Sequence, residues 1–314
     1  MEQRIQALED AVFSNRKTLH NRIKGRFGNQ LFQFWVGKWI AMNTNMLMTT
    51  YFTQGFYLDI SYFPNVGDFI RLNTITPIKR LQSLTPHQRI YNFAFMEDYG
   101  TSAVDPDTII QDIQQDPTPR NVLLSSYNEC YKYIRRHSRW IKTLYARASA
   151  RLGAIQQTVI HLRLGDLVNE FITHADDYLA FSYDIAKQHK LPVTIVSEDS
   201  TSSHAQDFSC RLRSMLQPHD IQVILKDTSE ESVQEDFDEL YRSKVIIMGN
   251  STFSWWAAYL NPFKPNVYVG LSPTRQPHYE TRKDLFEEGP RSWKCYNLDN
   301  ETWLNTRKRK RSAD

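Results

Sequence analysis

Cysteine is scarce in this chain of 314 residues. The three cysteines, Cys130, Cys210 and Cys295, are odd in number, far apart and never in Cys-x-x-Cys spacing. That excludes a disulfide scaffold and a zinc ribbon, and a reducing compartment is the simplest reading. Long apolar runs are also missing, and residues 1–24 are charged. Neither a signal peptide nor a membrane span is therefore expected, which predicts a cytoplasmic protein. A strong charge of one sign is absent too. The net charge is +3, and Arg307-Lys308-Arg309-Lys310-Arg311 alone carries +5, so the remainder sums to −2. The body is not a general polyanion binder, and no nucleic-acid partner is expected. His-Glu-x-x-His and Gly-x-Ser-x-Gly do not occur, which removes the zincin and hydrolase readings.

What is present is mostly α/β pattern. Ile5, Leu8 and Val12 lie at helical spacing among charges, predicting a short amphipathic N-terminal helix over 1–24 that either docks on the body or pairs with a second copy. Arg22-Ile23-Lys24 reads as a short strand, followed by the glycine turn Gly25-Arg26-Phe27-Gly28 and a helix over 31–42 that is apolar on most faces and hence buried. Residues 45–120 show little periodicity, and Asp105-Pro106-Asp107 reads as a surface loop. Asn128 to Ala150 reads as one helix ended by Gly153. Beyond it strands and helices alternate: strands at Val159–Leu164, Pro192–Val196, Ile221–Leu225, Val245–Met248 and 265–269, with helices at Tyr178–His189, Phe208–Leu216, Ser232–Ser243 and from Ser254. This alternation predicts an open parallel sheet. The domains expected are 25–152 and 153–300, with a basic tail over 301–314.

Ligands of such sheets sit beyond the carboxyl ends of the strands. Three polar clusters fall there: His161, Arg163 and Asp166; Ser197, Glu198 and Asp199; and Asn250 to Ser254. His161 and Arg163 are two apart and share a face of their strand. Arg163 either pairs with a carboxylate such as Asp166 or holds an anion. The ligand reading is preferred, because an arginine without a carboxylate partner is the better phosphate fork. Glu198 and Asp199 either hydrogen-bond a base or ribose or serve a turn and a helix cap. Gly249-Asn-Ser-Thr-Phe-Ser-Trp-Trp runs from an apolar strand into a helix. Asn250 or Ser251 caps it, or the N-terminal N–H groups and the hydroxyls hold phosphate oxygens. Gly28 permits close approach of backbone to a ligand, and Asn29 stands at a helix start. Asp105-x-Asp107 and Asp236-x-Asp238 follow no apolar strand, and neither is expected to hold a metal.

Together these segments resemble the α-1,2-fucosyltransferase family, within the GDP-fucose-dependent α-1,2/α-1,6/protein O-fucosyltransferase superfamily. Gly25-Arg-Phe-Gly-Asn-Gln-Leu-Phe-Gln-Phe is similar to that family's Gly-x-x-Gly-Asn-Gln-x-Phe-Gln-Tyr. His161-Leu-Arg-Leu-Gly-Asp resembles His-x-Arg-x-Gly-Asp, and Val196-Ser-Glu-Asp resembles Phe-Ser-Asp-Asp. Asn250-Ser-Thr-Phe-Ser-Trp-Trp matches the last motif, together with the helix from Glu235 before it. Leu164 replaces the second residue of the usual Arg-Arg pair.

The resemblance implies a GT-B-like fold, with two Rossmann-like domains facing a cleft. It also implies metal-independent, inverting transfer of L-fucose from GDP-β-L-fucose to a glycan acceptor, a galactoside 2-OH being the first choice. No cofactor is implied beyond the donor substrate. Arg163 would stabilise the leaving GDP, and Asn29 would reach the same bridging oxygen from the other domain. Gly28, Gly165, Asp166, Ser197, Asn250, Ser251, Thr252, Phe253 and Ser254 would belong to the donor site, with His161, Glu198 and Asp199 near the nucleoside. The general base stays open among Asp166, Glu198, Glu97 and Asp98. The alternatives are another nucleotide-sugar donor, or an inactive glycan- or nucleotide-binding protein.

Overall fold

The computed structural model describes residues 18–23, 25–52, 71–72, 89–91, 106–115, 121–124, 131–149, 153–164, 168–227, 233–276, 279–287 and 289–304. Residues 1–17 of the expected N-terminal helix, residues 305–314 of the expected basic tail, Glu97, Asp98, Gly165 and Asp166 lie outside them. The chain divides into two compact units, Met1–Trp140 and Ile141–Asp314. The division falls inside a helix, ahead of the 152/153 boundary expected from Gly153.

The first unit carries a five-stranded sheet in the order β3-β2-β1-β5-β4, every pairing parallel. Its strands are β1 (Thr18–Ile23), β2 (Leu47–Phe52), β3 (Arg71–Leu72), β4 (Arg89–Tyr91) and β5 (Asn121–Leu124). β1 starts well before Arg22 and occupies residues assigned above to the N-terminal helix. Its alternation of Leu19, Asn21 and Ile23, all buried, explains why these residues form the central strand.

Helix α1 (Phe27–Thr44) follows β1 and is buried along most of its length, as expected. The turn before it is made by Gly25, at φ 80°, whereas Gly28 is already helical. Pro106 and Asp107 are not a loop but the first turn of α2 (Pro106–Gln115). Proline costs nothing at the first helical position, and an acidic residue there suits the helix dipole. The single helix expected over 128–150 is two: α3 (Tyr131–Arg136) and α4 (Ser138–Ser149). They part at His137, whose N–H donates to Ile134 O in a tightened last turn.

The second unit holds a seven-stranded sheet in the order β12-β11-β10-β9-β6-β7-β8. Its strands are β6 (Ile155–Leu162), β7 (Val193–Ser197), β8 (Val223–Leu225), β9 (Ser243–Met248), β10 (Asn266–Leu271), β11 (Lys294–Asn297) and β12 (Thr302–Trp303). All neighbours are parallel except β11 and β12. β12 carries the unit past residue 300, into the stretch expected to be tail. The helices are α5 (Val168–Ile172), α6 (Ala175–His189), α7 (Ser203–Leu216), α8 (Val233–Arg242), α9 (Thr252–Leu260) and α10 (Tyr279–Phe286). The sequence pattern missed α5, α10, β11 and β12.

The α/β class is thus present in both units. β6, β9 and β10 are buried over nearly their whole length, as central strands of a covered parallel sheet must be. On one face Ile160, Leu162, Val245 and Ile247 pack with α6 and α7 residues such as Tyr178, Phe181, Phe208 and Leu212. Strand order runs from β6 outward to β7 and β8 on one side, and from β9 to β10 and β11 on the other. The order therefore reverses between β6 and β9, and the crevice past their carboxyl ends is where a sheet of this kind binds ligands. Among the described residues no helix is long and apolar enough to cross a membrane.

Candidate functional site

His161 and Arg163 lie at the carboxyl end of β6. The register pairs His161 with Met248 of β9, and Leu162 with Ser197 of β7. Gly249 and Asn250 therefore leave β9 beside Leu162 and Arg163, while Glu198 leaves β7 beside Arg163. The sheet thus brings the described residues of all three polar clusters together at the reversal point.

Ile160 and Leu162 belong to the apolar core under α6, so His161 projects to the other face. There its ring lies 5.6 Å from that of Phe253, which in turn meets Phe237 edge-on at 5.6 Å. His161 is buried, its Nδ1 has no hydrogen-bond partner among the described residues, and burial followed by the charge of Arg163 pushes its pKa down to about 3. It is a neutral imidazole with unspent hydrogen-bonding capacity.

Arg163 is not the carboxylate-free fork expected. Its guanidinium pairs with Glu198. The partner comes from the neighbouring strand, because the parallel register sets the two residues side by side; Asp166 lies outside the described residues. Glu198 is accordingly committed to Arg163 at this site. Asp199 is committed to its own turn: its Oδ1 accepts from Thr201 N (3.0 Å), Thr201 Oγ1 (2.7 Å) and Ser202 N (3.1 Å). The Thr201 hydroxyl bond, with the two backbone bonds, holds its pKa below the usual carboxylate range. Ser202 then caps α7 by accepting from Ala205 N. For Asp199 the turn reading is the one observed. Ser197 is buried, and its hydroxyl donates to Asp199 O at 3.4 Å.

The N-cap of α9 is Ser251, in extended backbone and without a side-chain capping bond. Its carbonyl accepts from Trp255 N (3.0 Å) and from the Ser254 hydroxyl (3.3 Å). Ser254 is therefore turned back into its own helix, whereas the Ser251 hydroxyl makes no hydrogen bond to any described residue. Asn250, Ser251 and Thr252 are all at least nine-tenths buried. The helix is aimed by its aromatic face: Trp255 and Trp256 are wholly buried, and Trp255 Nε1 donates to Leu285 O at 2.9 Å.

In the first unit, Asn29 is the third residue of α1, and its carbonyl accepts from Gln33 Nε2 at 3.0 Å. Gln30 Nε2 ties the helix start to Gly25 O at 3.0 Å.

Of the two Asp-x-Asp segments, Asp105 lies outside the described residues. Asp107 pairs with Lys132 and Arg136, and Asp236 pairs with Lys226 at 2.9 Å. Among the described residues no three His, Cys, Asp or Glu side chains gather where a metal could be held.

A cavity of about 30 Å³ opens at the reversal point, lined by His161, Arg163 and Asn250 together with Phe171, Tyr178 and Gln276. The aromatic wall comes from α5 and α6, and Gln276 comes from the turn after β10. None of these three was singled out from the sequence. Phe171 and Gln276 carry no motif, and Tyr178 reads simply as a core residue of a helix.

Residues 212–289 match the model of Glycosyl transferase family 11, a span that includes α8, β9 and α9. No curated protein sequence matches the chain significantly. Among solved structures, the chain is similar to a mutant of Arabidopsis thaliana FUT1 in complex with GDP, at 13% identity and TM-score 0.49, covering 84% of this chain and 74% of that one. It is similar to POFUT1 in complex with GDP, at 12% identity and TM-score 0.46, covering 82% and 98%. It is also similar to NodZ alpha-1,6-fucosyltransferase soaked with GDP-fucose, at 13% identity and TM-score 0.44, covering 79% and 93%.

Proposed function

We propose that this chain is a glycosyltransferase that moves L-fucose from GDP-β-L-fucose to a sugar hydroxyl with inversion. One observation carries the reading. Arg163 and the N-terminus of α9, with the unspent Ser251 hydroxyl, flank the point where the strand order reverses, inside or beside the segment that matches a glycosyltransferase family. A guanidinium and helix-end N–H groups are a diphosphate site that needs no metal.

In the reaction the bond between the sugar C1 and the β-phosphate oxygen breaks, and its electron pair leaves with GDP. The acceptor oxygen attacks C1 from the opposite face and passes its proton to a general base, giving the α-linkage. Arg163 stabilises the negative charge that grows on the leaving diphosphate, where a fixed cation contributes most. The Ser251 hydroxyl and the first N–H groups of α9 hold the phosphate oxygens. His161, neutral and tilted against the Phe253 ring, serves the nucleoside side. Asn29 is assigned to the leaving-group oxygen by its motif. The acceptor we propose is the 2-OH of a galactoside.

The test is GDP release from GDP-fucose in the presence of a panel of galactosides, with and without EDTA. Activity that survives EDTA and is lost in Arg163→Ala is the expected result. Strict dependence on Mn²⁺ would overturn the metal-free mechanism. Turnover of another GDP-sugar with GDP-fucose inert would overturn the donor assignment, and product linkage read by NMR decides the 2-OH.

A further inference from the structure

The turn after β10 holds one side chain in an unusual state. Ser272 N donates to Gln276 Oε1 at 3.1 Å, which fixes the carboxamide with its oxygen toward the backbone. Gln276 N in turn donates to Ser272 O at 2.9 Å. The next residue back is pinned as well: Arg275 donates to Thr173 O (2.7 Å) and Asp177 (2.8 Å), and its Nε lies 3.3 Å from Asp299. Asp299 also accepts from the Ser272 hydroxyl and from the N–H and hydroxyl of Thr274. The turn is therefore rigid and its glutamine pre-oriented. Gln276 is only 6% exposed, yet no described group accepts from its Nε2, and the side chain lines the cavity shared by Arg163, Asn250 and His161. His161 also lines this cavity, and its Nδ1 is buried without a partner among the described residues. The Gln276 carboxamide therefore offers Nε2 donors that no described residue takes up, at a cavity that Arg163 also lines.

We propose that Gln276 is a donor-site residue whose Nε2 hydrogen-bonds an oxygen of the phosphate–sugar portion of the nucleotide sugar. The inference rests on the GDP-sugar reading above and adds a residue to it from outside every motif. A fixed carboxamide N–H₂ selects for an acceptor oxygen, and both a phosphate and a sugar hydroxyl supply one. The cavity has room for one or two atoms of water size, which matches a single ligand oxygen rather than a ring.

Calorimetric titration of the full chain with GDP and, separately, with GDP-fucose distinguishes the sources. Gln276→Glu keeps the acceptor for Ser272 N–H but turns the donor into an anion. Gln276→Ala removes both and carries the comparison should the glutamate variant fail to fold. The expected result is a loss of about tenfold or more in affinity, larger for Gln276→Glu, with the ligand-free melting temperature of the glutamate variant near that of the parent. A loss for GDP itself assigns the phosphate oxygen. A loss for GDP-fucose with GDP unchanged assigns the sugar oxygen. Affinities for both ligands within twofold of the parent would overturn the proposal, leaving Gln276 to a water-filled structural role while the donor reading stands. A parent chain that binds neither ligand overturns the donor reading itself, before any substitution is made.

Discussion

Arg163 and Glu198 occupy equivalent positions one step past Leu162 and Ser197, the last paired residues of β6 and β7, and their side chains form an ion pair. The parallel register makes that pairing: two strands that end together deliver a cation and a carboxylate to the same rim. A guanidinium is a planar fork with donors on more than one edge, so one edge can hold Glu198 while another faces an anion. Arg163→Lys keeps the charge but not the fork. It should weaken GDP binding about tenfold or more, because a bidentate, charge-assisted contact becomes a point charge. Glu198→Gln still offers an oxygen to the guanidinium and should change GDP affinity by less than about threefold. Calorimetry on both variants is the check. A Glu198→Gln loss as large as that of Arg163→Ala would mean that the carboxylate itself contacts the nucleotide.

His161 predicts a pH dependence of stability. Its pKa in the folded chain is about 3, against about 6.5 when unfolded. Below pH 6.5 the unfolded chain takes up a proton that the folded chain refuses. The contribution is therefore complete above pH 6.5 and is lost progressively as pH falls toward 3. One such proton corresponds to a slope of up to about 1.4 kcal/mol per pH unit. Urea unfolding of the parent and of His161→Gln at pH 6.5, 5.5 and 4.5 measures it. The variant should lose less stability on acidification; equal slopes would show that the ring titrates normally.

The sequence made the second unit legible because its strands are buried on both faces. Val159-Ile160, Val245 to Met248 and Val267 to Val269 read as short apolar runs between helices, and the sheet follows. The polar residues at the strand ends were legible for the same reason, since a polar side chain directly after such a run has few places to go. Partners were not. Whether Arg163 meets Asp166 or Glu198 depends on the order of strands, which no local pattern contains. Asp199 and Ser202 show the opposite limit: an acid after a strand reads equally as ligand or turn, and three local hydrogen bonds decided for the turn. Gln276 was invisible because its state comes from a turn that Arg275 closes onto Asp177 and Asp299, two residues distant in sequence. β1 was misread at its start because only Leu19 and Ile23 flank a polar Asn21, which is too short an alternation to outweigh the helical spacing before it.

Gly37 is where α1 crosses β1, and it predicts a stability loss in the first unit. A Cβ placed there would come within 2.8 Å of Asn21 Cγ. Asn21 is buried and donates to Gln33 O at 2.9 Å, so it cannot swing away without leaving polar groups unpaired. Alanine normally gains helix propensity over glycine. Here the overlap and the broken hydrogen bond should outweigh it, and Gly37→Ala should cost about 2 kcal/mol. Chemical unfolding measures this directly, and a stabilised variant would mean that α1 shifts off the strand at little cost.

Trp255 tests whether the α9 N-terminus depends on how its helix is anchored. The indole is wholly buried, stacks on Tyr259 at 4.7 Å, meets Trp293 edge-on at 5.6 Å and donates to Leu285 O. Trp255→Phe removes the donor and leaves a cavity beside an unsatisfied carbonyl, so stability should fall by about 2–4 kcal/mol. Ser251 lies one turn away and is held by its own backbone bond from residue 255, which the substitution does not remove. GDP affinity measured well below the variant's melting temperature should then change by less than about threefold. Ser251→Ala should do the reverse, with little change in stability, because its hydroxyl caps nothing, and weaker GDP binding by about fivefold or more. If Trp255→Phe lowers affinity as much as Ser251→Ala, the phosphate contacts depend on the exact pose of α9 rather than on the hydroxyl at its end.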